Sequence, residues 1–224
     1  MLFILGLASV KPTGNRRSTP YLLKGVVISR PDQVWASDIT YLRLFHMFIY
    51  LVVIMDWFSR YVISWAVSIT LEKEFCLEAL RRALMLSAPE IFHSDQGVQF
   101  RSNEFIKLLE EAAIKICMDG RGRLYENIFV ERLWRTVKYE EVYLNDYTSV
   151  QMAKDSLRNY FDFYNNERPH ASLNGKTPYK VYHGASMVRD FSIGYRVLNM
   201  NPLEKMVAYI GSYSLVFLTS WPIV

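Results

Sequence analysis

The chain has 224 residues, of which 51% are hydrophobic and 15% aromatic, and its formal net charge is +4. This length can bury one substantial core, which favours one domain with appended segments. Cys76 and Cys117 form no CxxC pair and the four histidines show no ligand spacing. This pattern argues against a disulfide framework and a structural zinc site, and it favours a reducing compartment such as the cytoplasm.

The two ends of the chain differ from its centre. The first residues, MLFILGLASV, are apolar but lack the basic residues of a signal peptide, and a polar stretch with two prolines follows. Met206–Val224 is uncharged and long enough in principle to span a bilayer, but it contains Gly211, Pro222 and several hydroxyl side chains. We therefore expect a linker at residues 1–30, a core at 31–187, a divergent tail at 188–224 and no membrane anchor.

Between the ends, hydrophobic periodicity predicts a regular order of strands and helices. Runs rich in β-branched and aromatic residues predict a three-stranded meander at Gln33–Leu42, Phe48–Trp57 and Arg60–Ser68. The elements predicted after it are a helix at Glu72–Leu86, a strand at Glu90–Phe92, a helix at Ser102–Ala113, a strand at Ile114–Met118, a helix at Tyr125–Tyr143 and a helix starting near Ser149. This order predicts an α/β sheet with helices on both faces.

Three acidic residues stand out against this pattern. Asp38 lies within an apolar strand, Asp95 lies just past the end of a strand, and Glu131 lies on a helix. Each has an ordinary explanation alone, because turns and ion pairs commonly hold acids. If the first and fourth strands are neighbours, however, Asp38 and Asp95 converge at one edge and Glu131 can reach them. Converging carboxylates repel one another, and a divalent cation is the usual relief.

The Glu131 helix also carries a polar stripe. Asn127, Arg135 and Lys138 recur at three- and four-residue steps around Glu131, whereas apolar residues occupy the opposite side. A solvated helix face explains such a stripe equally well. Beside a metal site, however, basic groups usually contact phosphates.

Several motifs resemble one known family when they are taken together. The acids lie in QVWASDITYL, HSDQGVQF and ENIFVERLW, and DWFSR, MDGRGR and FYNNERPHASLNGKTPYKVY fall in the matching order. Thirty-five residues separate Asp95 from Glu131. From about Tyr21 to Tyr182, the chain therefore resembles the integrase-core (DDE) transposases of bacterial insertion sequences, within the retroviral-integrase superfamily. The resemblance is to the second-frame catalytic subunit type.

This resemblance implies an RNase H-like fold, with a mixed five-stranded sheet in which three antiparallel strands precede parallel ones. It also implies metal-dependent DNA cleavage and strand transfer, with two Mg²⁺ or Mn²⁺ ions held by Asp38, Asp95 and Glu131. On this interpretation Arg135 and Lys138 contact DNA phosphates, and Asn127 orients Glu131 or touches DNA. A homo-oligomer on DNA is the expected assembly.

The chain also departs from the family pattern. Full-length relatives carry a helix-turn-helix region before the core, and the residues before Tyr21 leave little room for one. We therefore expect an N-terminally truncated chain that depends on a fused or separate helix-turn-helix partner. Three functions remain open: a transposase core, a catalytically inactive DNA-binding remnant of a transposase, and an RNase H-like nuclease that cuts without joining.

Overall fold

The computed structural model describes residues 22–23, 25–118 and 127–184. The predicted loop at Asp119–Arg123, the start of the helix predicted at Tyr125–Tyr143, and the apolar stretch Met206–Val224 lie outside these ranges. The strands are β1 (Val34–Arg43), β2 (Phe48–Asp56), β3 (Val62–Ser68), β4 (Ile91–Ser94) and β5 (Lys115–Met118). The helices are α1 (Glu74–Leu84), α2 (Asn103–Glu111), α3 (Ile128–Glu140) and α4 (Val150–Asn166).

The five strands form one mixed sheet in the order β3-β2-β1-β4-β5. β1 and β3 each pair with β2 in antiparallel fashion. β4 pairs with β1, and β5 with β4, in parallel. The predicted sheet of three antiparallel strands followed by parallel strands is therefore confirmed, with β1 at its centre.

Helices cover both faces of the sheet, as the alternating pattern predicted. On one face, α1 and α2 pack on Trp35 and Phe92, which are both fully buried. On the other face, α3 and α4 pack on Val53 through residues such as Val130 and Leu157. Since β2 is covered on both sides, its sequence is a nearly continuous apolar run. No helix in the described ranges is long and apolar enough to cross a membrane.

The third strand begins at Val62, so the prediction that it starts at Arg60 is wrong. The reason is a turn closed by Asp56, whose buried carboxylate accepts hydrogen bonds from the Ser59 N–H (2.7 Å) and hydroxyl (2.6 Å). It also accepts one from the Asp32 N–H at 2.9 Å. Arg60 follows with a φ of 63°, which no strand residue adopts. Burial raises the pKa of Asp56, while the bonds from Ser59 and Asp32 act against that rise.

A side chain from α4 completes the outer edge of the sheet. The buried Asn165 accepts a hydrogen bond from the Val62 N–H (2.9 Å) through Oδ1 and donates one to the Val62 carbonyl (2.9 Å) through Nδ2. Both backbone groups of an edge-strand residue are thus satisfied by one amide. This contact fixes α4 to β3.

Candidate active site

Asp38 and Asp95 lie at the same level of two neighbouring strands, where β4 ends beside the middle of β1. Ser37 of β1 lies opposite Ser94 of β4 in the parallel register, and each is followed by one of the two aspartates. β4 ends at Ser94, whereas β1 continues to Arg43 with only β2 beside it. The condition for Asp38 and Asp95 to converge, that the first and fourth strands are neighbours, is therefore met.

The Asp38 carboxylate is held by two hydrogen bonds. Its Oδ1 accepts from the Ile39 N–H, and its Oδ2 accepts from the Trp134 indole N–H, each at 2.8 Å. Burial raises the pKa of Asp38 above its usual value, and these two bonds lower it. The negative charges of Asp95 and Glu131 raise it further. Asp38 therefore lies near enough to Asp95 and Glu131 to experience the charge of both.

Asp95 is exposed, and a close backbone turn fixes one of its oxygens. Oδ1 accepts a hydrogen bond from the Gly97 N–H at 2.9 Å. A Cβ placed on Gly97 would lie only 2.9 Å from that oxygen and 3.3 Å from Gln99 Oε1. The absence of a side chain at Gly97 thus allows the Asp95 carboxylate to approach the backbone this closely.

We expect Gly97→Ala to impair activity while leaving the fold stable. The methyl group would displace the Asp95 carboxylate, a mobile side-chain end, more easily than it would move the backbone. The free energy of unfolding should change by less than about 0.5 kcal/mol, as for an ordinary surface substitution. Urea denaturation combined with a DNA strand-transfer assay checks this prediction. Full activity, or a destabilised protein, would contradict it.

Helix α3 brings Glu131 to the site and is attached to β1 by two contacts. Glu131 is exposed in the first turn, and Trp134 lies one turn further on. Besides the bond from Trp134 to Asp38, the Asn127 Nδ2 donates to the Ser37 carbonyl at 3.4 Å. One of these bonds is to Asp38 itself and the other is to Ser37, the residue before it. The docking of α3 on β1 therefore also fixes the position of the Asp38 carboxylate.

The polar stripe predicted on α3 divides into two kinds of residue. Arg135 is exposed, and Lys138 is half-buried with its ammonium 5.1 Å from the centroid of the Tyr41 ring. Asn127, in contrast, is buried at 8% exposure, and its Nδ2 is engaged by β1. Of the three predicted DNA contacts, Asn127 is thus the one whose side chain holds α3 to β1.

Trp134 is the site residue that the sequence interpretation missed. It is buried at 7% exposure, yet its indole N–H reaches Asp38. The signal was present, because Trp134 is three positions after Glu131, and a buried tryptophan N–H usually finds an acceptor. The spacing alone did not identify that acceptor.

On the interpretation that Asp38 is a metal ligand, Trp134→Phe should weaken divalent-metal binding by about 10–100-fold, the usual effect of losing a residue that orients such a ligand. Phenylalanine keeps the packing and removes the donor to Asp38. Titration calorimetry with Mg²⁺ or Mn²⁺ measures the change. Trp65→Phe is a matched control, because Trp65 packs on Phe161 of α4. Equal metal affinity in the Trp134 variant and the wild type would contradict this role.

The donor chemistry of this edge suits a hard divalent cation. Carboxylate oxygens are the ligands that Mg²⁺ and Mn²⁺ prefer, and a cation would offset the repulsion experienced by Asp38. As they stand, no three His, Cys, Asp or Glu side chains in the described ranges are gathered closely enough to hold a metal ion. Because Asp95 and Glu131 are exposed, their side chains can turn toward Asp38 without repacking the core.

Comparisons with known proteins agree with this arrangement. Two profiles, both described as integrase core domain, match residues 28–123 and 112–178. The transposase for insertion sequence element IS629 of Shigella sonnei is 30% identical over 80% of this chain and 64% of its own length. Transposase InsF for insertion sequence IS3A of Escherichia coli is 32% identical over 67% of this chain and 54% of its own length. The chain thus spans less than two thirds of these relatives.

Solved structures share the fold at lower identity. The HTLV-2 integrase catalytic core domain in complex with magnesium matches with a TM-score of 0.56 and 22% identity, covering 69% of this chain and 98% of that one. The simian T-cell lymphotropic virus intasome matches with a TM-score of 0.60 and 22% identity, over 76% of this chain and 60% of that one. The predicted RNase H-like fold is confirmed by these likenesses. With its two profile matches and its transposase relatives, the chain belongs to the integrase core domain family.

Proposed function

We propose that this chain is the catalytic core of an insertion-sequence transposase, which cleaves DNA phosphodiesters and joins a 3′-OH end to target DNA. The observation that carries the proposal is the placement of the acids. Asp38 and Asp95 follow paired residues of adjacent parallel strands, and Glu131 acts on Asp38 from α3. Relatives named as transposases, at 30–32% identity, support the same activity.

In this proposal Asp38, Asp95 and Glu131 hold two divalent cations, Mg²⁺ or Mn²⁺. The magnesium named in the HTLV-2 core structure supports the choice of metal. Metal ions held there would activate the attacking water or 3′-OH and stabilise the leaving oxygen. The protein's own residues fix the ligands, since Trp134 holds Asp38 and the Gly97 N–H holds Asp95.

DNA is the proposed substrate and partner. Arg135 and Lys138 follow Glu131 by one and two turns of α3, and they would contact phosphates of the bound strand. Asn127 would act mainly by holding α3 to β1. We further propose a homo-oligomer on DNA, in line with the dimeric and trimeric HTLV-2 core structures. A fused or separate helix-turn-helix partner would supply recognition of the element ends, and the complex would work in the cytoplasm.

Strand transfer of a labelled 3′-OH oligonucleotide into plasmid DNA, with Mg²⁺ or Mn²⁺, tests the proposal. Joined products that vanish in Glu131→Gln but persist in Glu110→Gln, which changes an exposed glutamate of α2, would support it. Cutting without joining would favour the nuclease instead. Folded protein that binds DNA without reacting would identify an inactive remnant.

A further inference from the structure

A second polar concavity lies on a different side of α3 from Glu131. Phe129, Arg132, Leu133 and Thr136 recur at helical spacing and form one wall. The opposite wall is the end of α4 and the segment after it. The cavity has a volume of about 380 Å³, and its polar lining includes Arg60, Arg132, Thr136, Arg168, His170 and Ser172. We refer to it below as the arginine pocket.

Two arginines of the arginine pocket form no ion pair with a carboxylate among the described residues. The Arg60 guanidinium lies over the Phe129 ring, 3.4 Å from its centroid, and Arg132 is exposed beside it. Neither forms an ion pair with a carboxylate in the part of the chain that the structure describes. Arg168, in contrast, is neutralised by two hydrogen bonds to Glu140, at 2.8 and 2.5 Å.

The Arg60 side chain remains a cation despite its environment. Burial lowers the pKa of Arg60 to about 10, and the charge of Arg132 acts in the same direction. Tyr164 and Asp56 oppose this effect. At neutral pH the pocket therefore holds two positive charges that repel each other, which an anion between them would relieve.

His170 provides a second observation that favours a ligand in the arginine pocket. Its Nε2 is buried and has no hydrogen-bond partner among the described residues. Burial lowers the pKa of His170 to about 4, the charges of Arg168 and Arg60 lower it as well, and Glu140 opposes them. The ring is therefore neutral at pH 7, and a neutral imidazole can still donate one N–H bond. In the tautomer that carries the proton on Nε2, this N–H has no acceptor among the described residues, and an oxyanion in the pocket would supply one.

We propose that the arginine pocket binds a phosphate-type oxyanion, supplied by a DNA phosphodiester that lies outside the active site. Guanidinium groups present paired donors that match phosphate oxygens. The cavity is wider than one phosphate, which leaves room for the adjoining backbone of a nucleic acid. The identification of DNA as the source rests on the proposed function, whereas the oxyanion chemistry follows from Arg60, Arg132 and His170. The site would hold DNA at a distance from the reacting phosphodiester.

Inorganic phosphate is the first probe. We expect the ¹⁵N resonances of His170 to shift saturably on titration with phosphate. Arg132→Gln should weaken this binding by about tenfold or more, as for a lost hydrogen bond to a charged group. Arg81→Gln removes one charge from an exposed position on α1, on the other face of the sheet, and should have no effect. An absent shift, or equal effects of the two variants, would overturn the proposal.

Duplex DNA is the second probe, and it distinguishes a DNA phosphodiester from free inorganic phosphate as the ligand. The affinity for DNA should fall in Arg132→Gln. The magnitude of the slope of log affinity against log salt should also decrease, by about the amount expected for one lost phosphate contact. Arg81→Gln should retain the wild-type slope. If inorganic phosphate binds but the DNA slope is unchanged in Arg132→Gln, the assignment to DNA is overturned. Because both readouts measure binding, they stand apart from strand transfer, whose failure would count against the proposed function alone.

Discussion

Replacing Asp38 with asparagine is expected to lower strand transfer by more than about 100-fold, exceeding the usual loss on removing an outer-shell residue of a metal site. Asp38 is the central acid of the three, since both Asp95 and Glu131 act on its charge. Asparagine keeps the shape and an oxygen that the Trp134 N–H can reach, but it removes the anion. The variant should therefore fold and yet bind divalent metal poorly.

Thermal unfolding with and without Mg²⁺ measures both whether the variant folds and whether it binds the metal. At a metal concentration one hundred times the dissociation constant, the wild type should gain about 2.7 kcal/mol of stability. Asp38→Asn should gain almost none. Asp162→Asn, which changes an exposed acid of α4, should behave like the wild type. Metal-induced stabilisation of Asp38→Asn would contradict the assignment of Asp38 as a ligand.

The largest effect on stability is expected for Asn165→Leu. Leucine is similar in volume, but it leaves the buried N–H and carbonyl of Val62 without partners. Unsatisfied buried groups of this kind cost about 1–3 kcal/mol each, so we expect the free energy of unfolding to fall by about 2–6 kcal/mol. The stability of Asn165→Asp should lie between those of the wild type and Asn165→Leu, since an aspartate can accept from the Val62 N–H but, when ionised, cannot donate to the carbonyl.

Urea denaturation gives the size of the loss, and hydrogen exchange at the Val62 amide gives its location. Asn166→Ala is a close control, because Asn166 is exposed and its amide donates to the Asp162 carbonyl in its own helix. A loss below about 1 kcal/mol in Asn165→Leu, or an unchanged exchange rate at Val62, would show that the contact does not hold the strand edge.

Most of the fold could be predicted because buried strands and helices have apolar residues at regular spacing in the sequence. β2 is covered on both faces, and its apolar run identified it directly. The order of the elements then limited the topology to layered α/β arrangements. In those where the first and fourth strands are neighbours, Asp38 and Asp95 lie at one edge, and the structure has that pairing. Glu131 was identified by its helical stripe.

The remainder depended on individual side-chain contacts, some local and some between distant residues, that hydrophobic periodicity does not encode. The start of β3 was set by a turn in which Asp56 binds Ser59, and strand propensity does not register such a turn. Trp134 looked like an ordinary core residue, because its role lies in one N–H bond to a strand 96 positions away. Similarly, the arginine pocket joins Arg60 to His170, and neither local spacing nor composition brings these residues together.

The bond between Asn165 and Val62 also bears on how copies of this protein meet. An edge strand offers its free backbone groups to any extended chain, which invites sheet-to-sheet association. While α4 is docked, Asn165 occupies those groups at Val62, so another chain cannot extend the sheet there. A folding intermediate that forms the sheet before α4 docks lacks this protection. The order of those two events therefore sets how long the nascent protein is open to aggregation.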